Sequence, residues 1–197
     1  MRYRRLICFL FGAWIGVSLM LGFQVYENFD AVARVLRTPP DPLKQTFKIV
    51  TPDKARALLR YTAGVQTASA YDSWENIQFA LGFVITGILL LEKSTRALCV
   101  ATVAMIVIVA FEHLKLSPDI AWLGSTVEFV PWLAESHSRD QFWNLHRMYM
   151  ILDGAKCVIG IGAATMLFLQ QSGRHGRRRT QPREAYPDAE TRRYASR

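Results

Sequence analysis

Four long apolar blocks constrain the fold of this chain more than any other feature. Charged residues are absent from Leu6–Val25, Ile77–Leu91 and Ala97–Phe111, and only two interrupt Met148–Leu169. A helix needs about 20 mainly apolar residues to cross a bilayer, and the middle blocks reach this length when a few flanking residues are included. We therefore expect an all-α integral membrane protein, a four-transmembrane-helix bundle with interfacial helical loops. Its spans are predicted at about 6–25, 74–91, 97–114 and 148–169.

The formal net charge of +8 comes from the two ends of the chain. Three arginines precede the first block, and the segment after Gln170 carries eight arginines against three acidic residues. By the positive-inside rule, this pattern predicts a multi-pass protein of the cell inner membrane with both termini cytoplasmic. The long loop after the first span argues against this orientation, because it carries seven Lys or Arg residues and would lie outside. No RNA- or DNA-reading element is visible, so we expect no nucleic acid partner.

Composition divides the chain into two parts. Residues 1–171 form the predicted four-span membrane domain, and residues 172–197 have the arginine-rich polar composition of a disordered cytoplasmic tail. The three cysteines, Cys8, Cys99 and Cys157, lie in apolar blocks and form no disulfide or metal-binding pattern. We interpret the first block as an uncleaved anchor, because no small-residue cleavage site follows it.

Short motifs predict where several helices begin. Thr51-Pro52-Asp53 combines a capping residue, a first-turn proline and a first-turn acid, which predicts a helix from Pro52. Asp72-Ser73-Trp74-Glu75 has capping-box spacing and predicts the start of the second span. Ser117-Pro118-Asp119 likewise predicts a short helix near Ile120–Gly124. The five residues Glu92–Arg96 predict an antiparallel hairpin between the second and third spans.

Polar residues recur at helical spacing inside the last block and its neighbours. Asp153 and Lys156 are three residues apart on one helix face, and each costs about 2.5–3.5 kcal/mol at the centre of a bilayer unless it is paired. His146 and Tyr149 precede them on the same face. Span order brings further polar residues to this membrane side. The predicted outer-leaflet binding cluster contains Glu75, Gln78, Glu112, His113, His146, Tyr149, Asp153 and Lys156.

Two interpretations of this cluster remain open at the sequence level. Asp153 and Lys156 can form a buried pair that only fixes helix packing, or they can belong to a ligand- or proton-handling site. His113 and His146 lie at span ends, where histidine is commonly an interfacial residue. They are also candidate ligands for a divalent metal or an axially bound haem, although the sequence contains no metal-binding spacing such as HxxxH. The sequence identifies no cofactor beyond this alternative.

A short motif at the start of the last span resembles that of a known family. The motif Phe142-Trp143-Asn144-Leu145-His146, followed by Asp153, is similar to the Phe-x-x-x-His element of small four-span membrane proteins of unknown function, a family that includes the transmembrane-205 proteins. The resemblance covers the C-terminal half, and family members carry an amide residue at the position of Asp153. It implies a four-helix integral membrane protein and no particular activity.

The sequence supports three classes of function. The first is a binding or accessory membrane protein whose polar pocket holds a small ligand, a lipid headgroup or a partner helix. The second is a small transporter or ion- and proton-handling protein that uses Glu112, Asp153 and Lys156, and the third is a haem- or metal-binding subunit. No nucleophile elbow or phosphate-binding loop indicates an enzyme. Lipid is the expected environment, and faces such as Gly12-x-x-x-Gly16 offer surfaces for a membrane partner or a homo-oligomer.

Overall fold

The computed structural model describes residues 3–92, 96–127 and 137–179, and every regular element within these ranges is helical. Helices α3 and α4 are antiparallel neighbours, and α1 packs against α3 and α6. A π-helical turn, Glu112–Leu116, joins α4 to α5 without a break. The six α-helices are α1 (Arg4–Arg37), α2 (Asp41–Ile49), α3 (Pro52–Leu91), α4 (Arg96–Phe111), α5 (Ser117–Val127) and α6 (His137–Arg179).

Four helical stretches are long and apolar enough to cross a membrane, as the apolar blocks predict. They are Arg4–Arg37, Pro52–Leu91, Arg96–Val127 and His137–Leu169. Their apolar side chains mostly face outward: only 22–33% of the most apolar window of each stretch is buried inside the bundle. The fully buried positions include the charged residues Glu75, Glu112 and Lys156. The bundle is therefore apolar outside and partly charged inside.

Of two helix starts predicted within α3, the one at Pro52 is correct and the one at Asp72 is wrong. Helix α3 begins at Pro52, although the Thr51 side chain makes no capping hydrogen bond. The capping box at Asp72 does not start a helix, because α3 continues unbroken to Leu91. Capping is needed only where backbone N–H groups lack helical partners, and no proline interrupts α3 after its first turn. Helix α1 likewise extends twelve residues past the predicted end of the first span, to Arg37.

The π-helical turn follows from the proline that comes after it. Pro118 has no backbone N–H to donate to the carbonyl of Leu114, and its ring crowds that carbonyl in a regular α-helix. The chain accommodates it by widening, so that the backbone N–H of Ser117 donates to the carbonyl of Glu112, five residues back. Ser117 is therefore inside a continuous helix and does not cap a new one. Such wide turns often occur at functional sites.

The half of the bundle away from the start of α6 is a closely packed apolar core. Ile7, Phe11 and Trp14 of α1 pack with residues of α3, α4 and α6, namely Ile85, Leu89, Leu98, Met105 and Leu167. Close approach depends on glycine: a Cβ at Gly82 would lie 2.5 Å from Cγ1 of Ile106. Gly160 of α6 likewise permits a close approach, since a Cβ there would lie 3.2 Å from Cδ1 of Ile15.

Some sequence predictions fall wholly or partly outside the described residues. The turn of the α3–α4 hairpin includes positions 93–95, and most of the predicted interfacial loop Thr126–Leu133 is also outside. Helix α6 continues to Arg179 and so includes positions 172–179 of the segment predicted to be a disordered tail. Positions 180–197 lie outside the described residues.

Candidate functional site

A buried lysine lies at the centre of the first polar group, which we call the lysine cluster (Gln78, Glu112, Asp153 and Lys156). The Lys156 ammonium donates to Glu112 Oε2 and to Gln78 Oε1, the latter at 3.0 Å. It also pairs with Asp153 Oδ1 at 3.0 Å, one helical turn away on α6. Lys156, Glu112 and Gln78 are all at most 1% exposed. The predicted pairing of Asp153 with Lys156 is therefore present, within a larger network that includes α3 and the π-helical turn.

Two atoms of the lysine cluster lack partners. Glu112 Oε1 and Gln78 Nε2 are buried and have no hydrogen-bond partner among the described residues. Leaving a buried donor or acceptor unpaired costs about 1–3 kcal/mol, and more when the group is charged. The Gln78 amide orientation is fixed by chemistry, because its oxygen must face the Lys156 ammonium, which can only donate. The cluster therefore retains one acceptor and one donor for a further polar group.

The second polar group, which we call the histidine cluster, contains Asp72, Glu75, His113, Ser117 and Tyr149. Glu75 is fully buried and accepts from Tyr149 Oη at 2.9 Å and from Ser117 Oγ at 2.5 Å, both at Oε1. Its other oxygen, Oε2, lies 2.9 Å from His113 Nδ1. The same ring nitrogen is 3.7 Å from Asp72 Oδ1. One histidine nitrogen thus faces two carboxylates.

Helical spacing explains how α3 and α6 supply both clusters. Asp72, Glu75 and Gln78 are three residues apart and lie along one face of α3. Tyr149 and Lys156 are seven residues apart on α6, which separates them by about 10.5 Å along the helix. The histidine cluster therefore lies nearer the start of α6, and the lysine cluster lies deeper along it. The widened turn brings Glu112 to the deeper cluster, and His113 and Ser117 to the other.

Seven of the eight predicted site residues take part in the two clusters, and His146 has a different setting. The His146 ring stacks on the Phe142 ring, with centroids 6.0 Å apart. It forms a T-shaped contact with the Trp143 ring, with centroids 5.8 Å apart. The described contacts of His113 are instead with carboxylates and with the edge of Phe79. The two histidines therefore belong to separate contact groups.

Sequence reasoning missed two members of the histidine cluster. Asp72 precedes Glu75 by three residues, so its helical position could have been recognised if its supposed capping role had been set aside. Ser117 lies four residues after His113, so helical spacing alone puts the two on one face, although the widened turn before Ser117 was not predicted. The signal for that widening is Pro118 inside a helical stretch.

The two clusters contain more carboxyl groups than ammonium groups at their buried centre. Glu75 and Glu112 are both fully buried carboxylates, whereas Lys156 is the single buried ammonium among the described residues. Asp153 shares the same ammonium and adds further negative charge. Removing an unpaired ion from water costs several kcal/mol in a protein interior. A surplus of buried negative charge therefore favours uptake of a positive charge.

Exposure increases from the centre of the histidine cluster to its edge. The side chain of Glu75 is 0% exposed, that of His113 is 26% exposed and that of Asp72 is 66% exposed. A small ion arriving at the surface would meet Asp72 first, then His113, then Glu75. Among the described residues, the cluster is therefore exposed on the side of Asp72.

Comparison of the chain with protein-family models, with curated proteins and with solved structures finds no match. The fold and the site define the class: an all-helical chain with four stretches able to span a membrane and two buried polar clusters near one end. The resemblance to the family that includes the transmembrane-205 proteins remains a prediction from the sequence.

Proposed function

We propose that this is a multi-pass membrane protein that binds a metal cation at the polar end of its four-helix bundle. The observation that carries the proposal is the charge surplus: two fully buried carboxylates, Glu75 and Glu112, against one buried ammonium, Lys156. The unpartnered Oε1 of Glu112 also supports the proposal, since carboxylate oxygens are common ligands of hard cations. The function is that of a binding or accessory protein.

The outward-facing apolar surface supports insertion in a bilayer. Large side chains such as Phe9, Met20 and Phe83 are 64–68% exposed on the stretches able to span a membrane. Soluble proteins rarely expose contiguous apolar surface on this scale, whereas lipid covers it at no cost. The arginines at both ends of the chain support an inner-membrane location with cytoplasmic termini. A green fluorescent reporter fused after Arg197 is then expected to fluoresce, and a fused periplasmic phosphatase is expected to be inactive.

The packing of the other half of the bundle favours binding over transport. A transporter needs polar groups or a convertible opening on both sides of its site. Beyond Lys156, the described interior is mainly the apolar core around Phe11, Ile85 and Leu98, with the Thr102 hydroxyl bonded to the Leu98 carbonyl. An ion released in that direction would have to cross desolvated apolar side chains. The accessible route runs instead through the histidine cluster, so the cation enters and leaves on one side.

Cation-dependent thermal stability tests the proposal directly. The detergent-purified protein is unfolded by heat in Na⁺, K⁺, Mg²⁺, Ca²⁺, Mn²⁺ or Zn²⁺ at constant ionic strength. A cation that binds only the folded state stabilises it by about 2.7 kcal/mol at one hundred times its dissociation constant. We expect at least one of these ions to raise the unfolding temperature with saturation, and the effect to shrink in Glu112→Gln.

A matched surface variant provides the control. Asp53→Asn removes an exposed carboxylate from the first turn of the same helix that carries Glu75, and its response to cations should equal that of the wild type. If no cation in the panel raises the unfolding temperature beyond the ionic-strength control, the buried carboxylates are neutralised by protons and the proposal is wrong. An equal response in Glu112→Gln and the wild type would also overturn the role given to the buried surplus.

A further inference from the structure

We propose that Asp72, Glu75 and His113 bind a divalent first-row transition-metal ion. This inference rests on the proposed function and names the ion class and its ligands. One atom of each residue can act as a ligand, and these three atoms all lie within 4.8 Å of one another. The ligand set combines one imidazole nitrogen with two carboxylate oxygens from α3 and the π-helical turn.

The spacing of the three atoms suits a small ion. Zinc lies about 2.0–2.2 Å from histidine nitrogen and carboxylate oxygen, so ligands at tetrahedral or octahedral angles are about 3.0–3.4 Å apart. His113 Nδ1 is 2.9 Å from Glu75 Oε2 and 3.7 Å from Asp72 Oδ1. Both distances are within a few tenths of an ångström of this range, and the Asp72 and Glu75 oxygens lie within 4.8 Å of each other. On binding, the ion would take the place of the hydrogen that Nδ1 directs at Glu75, and the imidazole would carry its proton on Nε2.

The residues around the ligands hold them in position. Tyr149 and Ser117 both donate to Oε1 of Glu75, which leaves Oε2 directed to His113. The edge of the Phe79 ring meets the His113 ring, with centroids 5.8 Å apart, and restricts its rotation. Hydrogen bonds that orient a ligating carboxylate or imidazole are a regular feature of metal sites, where their loss lowers affinity about 10- to 100-fold.

The adjoining lysine cluster supplies a second reason for a cation here. Glu112 is the residue before His113 on the same turn, and its buried Oε1 has no hydrogen-bond partner among the described residues. The negative charge of Glu75 and Glu112 exceeds the single charge of Lys156. With Asp153, which shares the Lys156 ammonium, the surplus is two negative charges, which a divalent ion would offset and a protonated His113 would only halve.

The donor set decides the class of ion. Imidazole suits Zn²⁺, Fe²⁺, Ni²⁺ and Cu²⁺, and carboxylates suit harder ions such as Mn²⁺. A mixed set of nitrogen and oxygen without thiolate therefore favours a divalent transition metal over Mg²⁺ or Ca²⁺, which prefer oxygen alone. We use Zn²⁺ for calorimetry and Co²⁺ as its coloured substitute. Ligand field absorption of bound Co²⁺ reports nitrogen and oxygen coordination independently of protein stability.

The test compares ligand variants with matched controls in detergent-purified protein whose affinity tag has been removed. Asp72→Asn and His113→Gln are the ligand variants, and Asp72 is exposed enough that its substitution should leave the fold intact. Asp53→Asn and His146→Gln remove the same chemical groups elsewhere in the chain. We expect Zn²⁺ binding to weaken at least about 10-fold in each ligand variant, with the Co²⁺ spectrum lost or altered. Both controls should retain the wild-type affinity and spectrum.

Each outcome decides the inference. Equal Zn²⁺ affinity in Asp72→Asn and the wild type would overturn it, as would a Co²⁺ spectrum that is unchanged by His113→Gln. If Na⁺, K⁺, Mg²⁺ or Ca²⁺ stabilises the protein through Glu112 and neither Zn²⁺ nor Co²⁺ binds, this inference fails and the proposed function stands. If no cation stabilises the protein, both fail. Circular dichroism of every variant separates a lost ligand from a lost fold.

Discussion

Replacing Lys156 by methionine is expected to destabilise the bundle strongly. The Lys156 ammonium is 1% exposed and contacts the carboxylates of Glu112 and Asp153. Methionine has a similar length and no charge, so Lys156→Met leaves the fully buried Glu112 carboxylate without its cation. Removing one member of a buried ion pair typically costs about 3–5 kcal/mol. We therefore expect the free energy of unfolding to fall by that amount.

The assay is unfolding in mixed micelles with an increasing fraction of sodium dodecyl sulfate, followed by circular dichroism. Lys115→Met is the matched control, because Lys115 pairs with Asp119 at 3.0 Å while 65% of its side chain is exposed. Exposed pairs of this spacing contribute about 0.3–0.5 kcal/mol, so the control should be nearly as stable as the wild type. The two substitutions remove the same group from the same kind of contact and differ in burial.

A double substitution separates the charge from the shape of the side chain. Adding Glu112→Gln to Lys156→Met removes the uncompensated carboxylate, so the double variant should be more stable than Lys156→Met alone. The reasoning would be refuted if Lys156→Met costs less than about 1 kcal/mol, the upper range of an exposed pair. It would also be refuted if the losses caused by the two substitutions simply add.

Two further predictions concern packing and hydrogen bonding. Gly82→Ala should lower the free energy of unfolding by about 1–3 kcal/mol, because its Cβ would lie 2.5 Å from Cγ1 of Ile106. Gly87→Ala on the same helix, which meets nothing within 4 Å, should instead be neutral or stabilising by about 0.5–1 kcal/mol in the same unfolding assay. Tyr149→Phe should cost about 1.5–3 kcal/mol, because it removes a buried donor to a carboxylate. Tyr26→Phe, at a side chain 67% exposed, should change the free energy of unfolding by less than about 0.5 kcal/mol. A larger loss would contradict the assignment of the Tyr149→Phe effect to the buried hydrogen bond with Glu75.

The sequence predicts the helical class and most of the site for a simple reason. A long uncharged apolar block usually forms a membrane-spanning helix. A charged residue within such a block needs a partner. Asp153 and Lys156 therefore predict polar groups in the interior of the bundle. Helical spacing places Tyr149 on the same face of the helix. Span order then brings Glu75 and Glu112 to the same end. None of these steps requires knowledge of how the helices pack.

The remaining features depend on tertiary context. The capping box at Asp72 satisfies a local rule, yet α3 passes through it, because the preceding residues are already helical. The turn before Ser117 is widened, and α-helical spacing does not include that geometry. His146 shares a face with Tyr149 in the sequence pattern, but its ring packs on Phe142 instead. Spacing along one helix identifies a face, and the neighbouring helices decide which of its residues meet.

Equilibrium dialysis followed by elemental analysis tests the central claim most directly. The detergent-purified protein is dialysed against a buffer that contains Na⁺, K⁺, Mg²⁺, Ca²⁺, Mn²⁺ and Zn²⁺ at fixed ionic strength, and the excess of each ion on the protein side is measured. We predict one ion in excess at equimolar ratio to the wild-type chain, and loss of that excess in Asp72→Asn and Glu112→Gln. No excess of any ion in the wild type, or the same excess in all three proteins, would contradict a cation site at the polar end of the bundle.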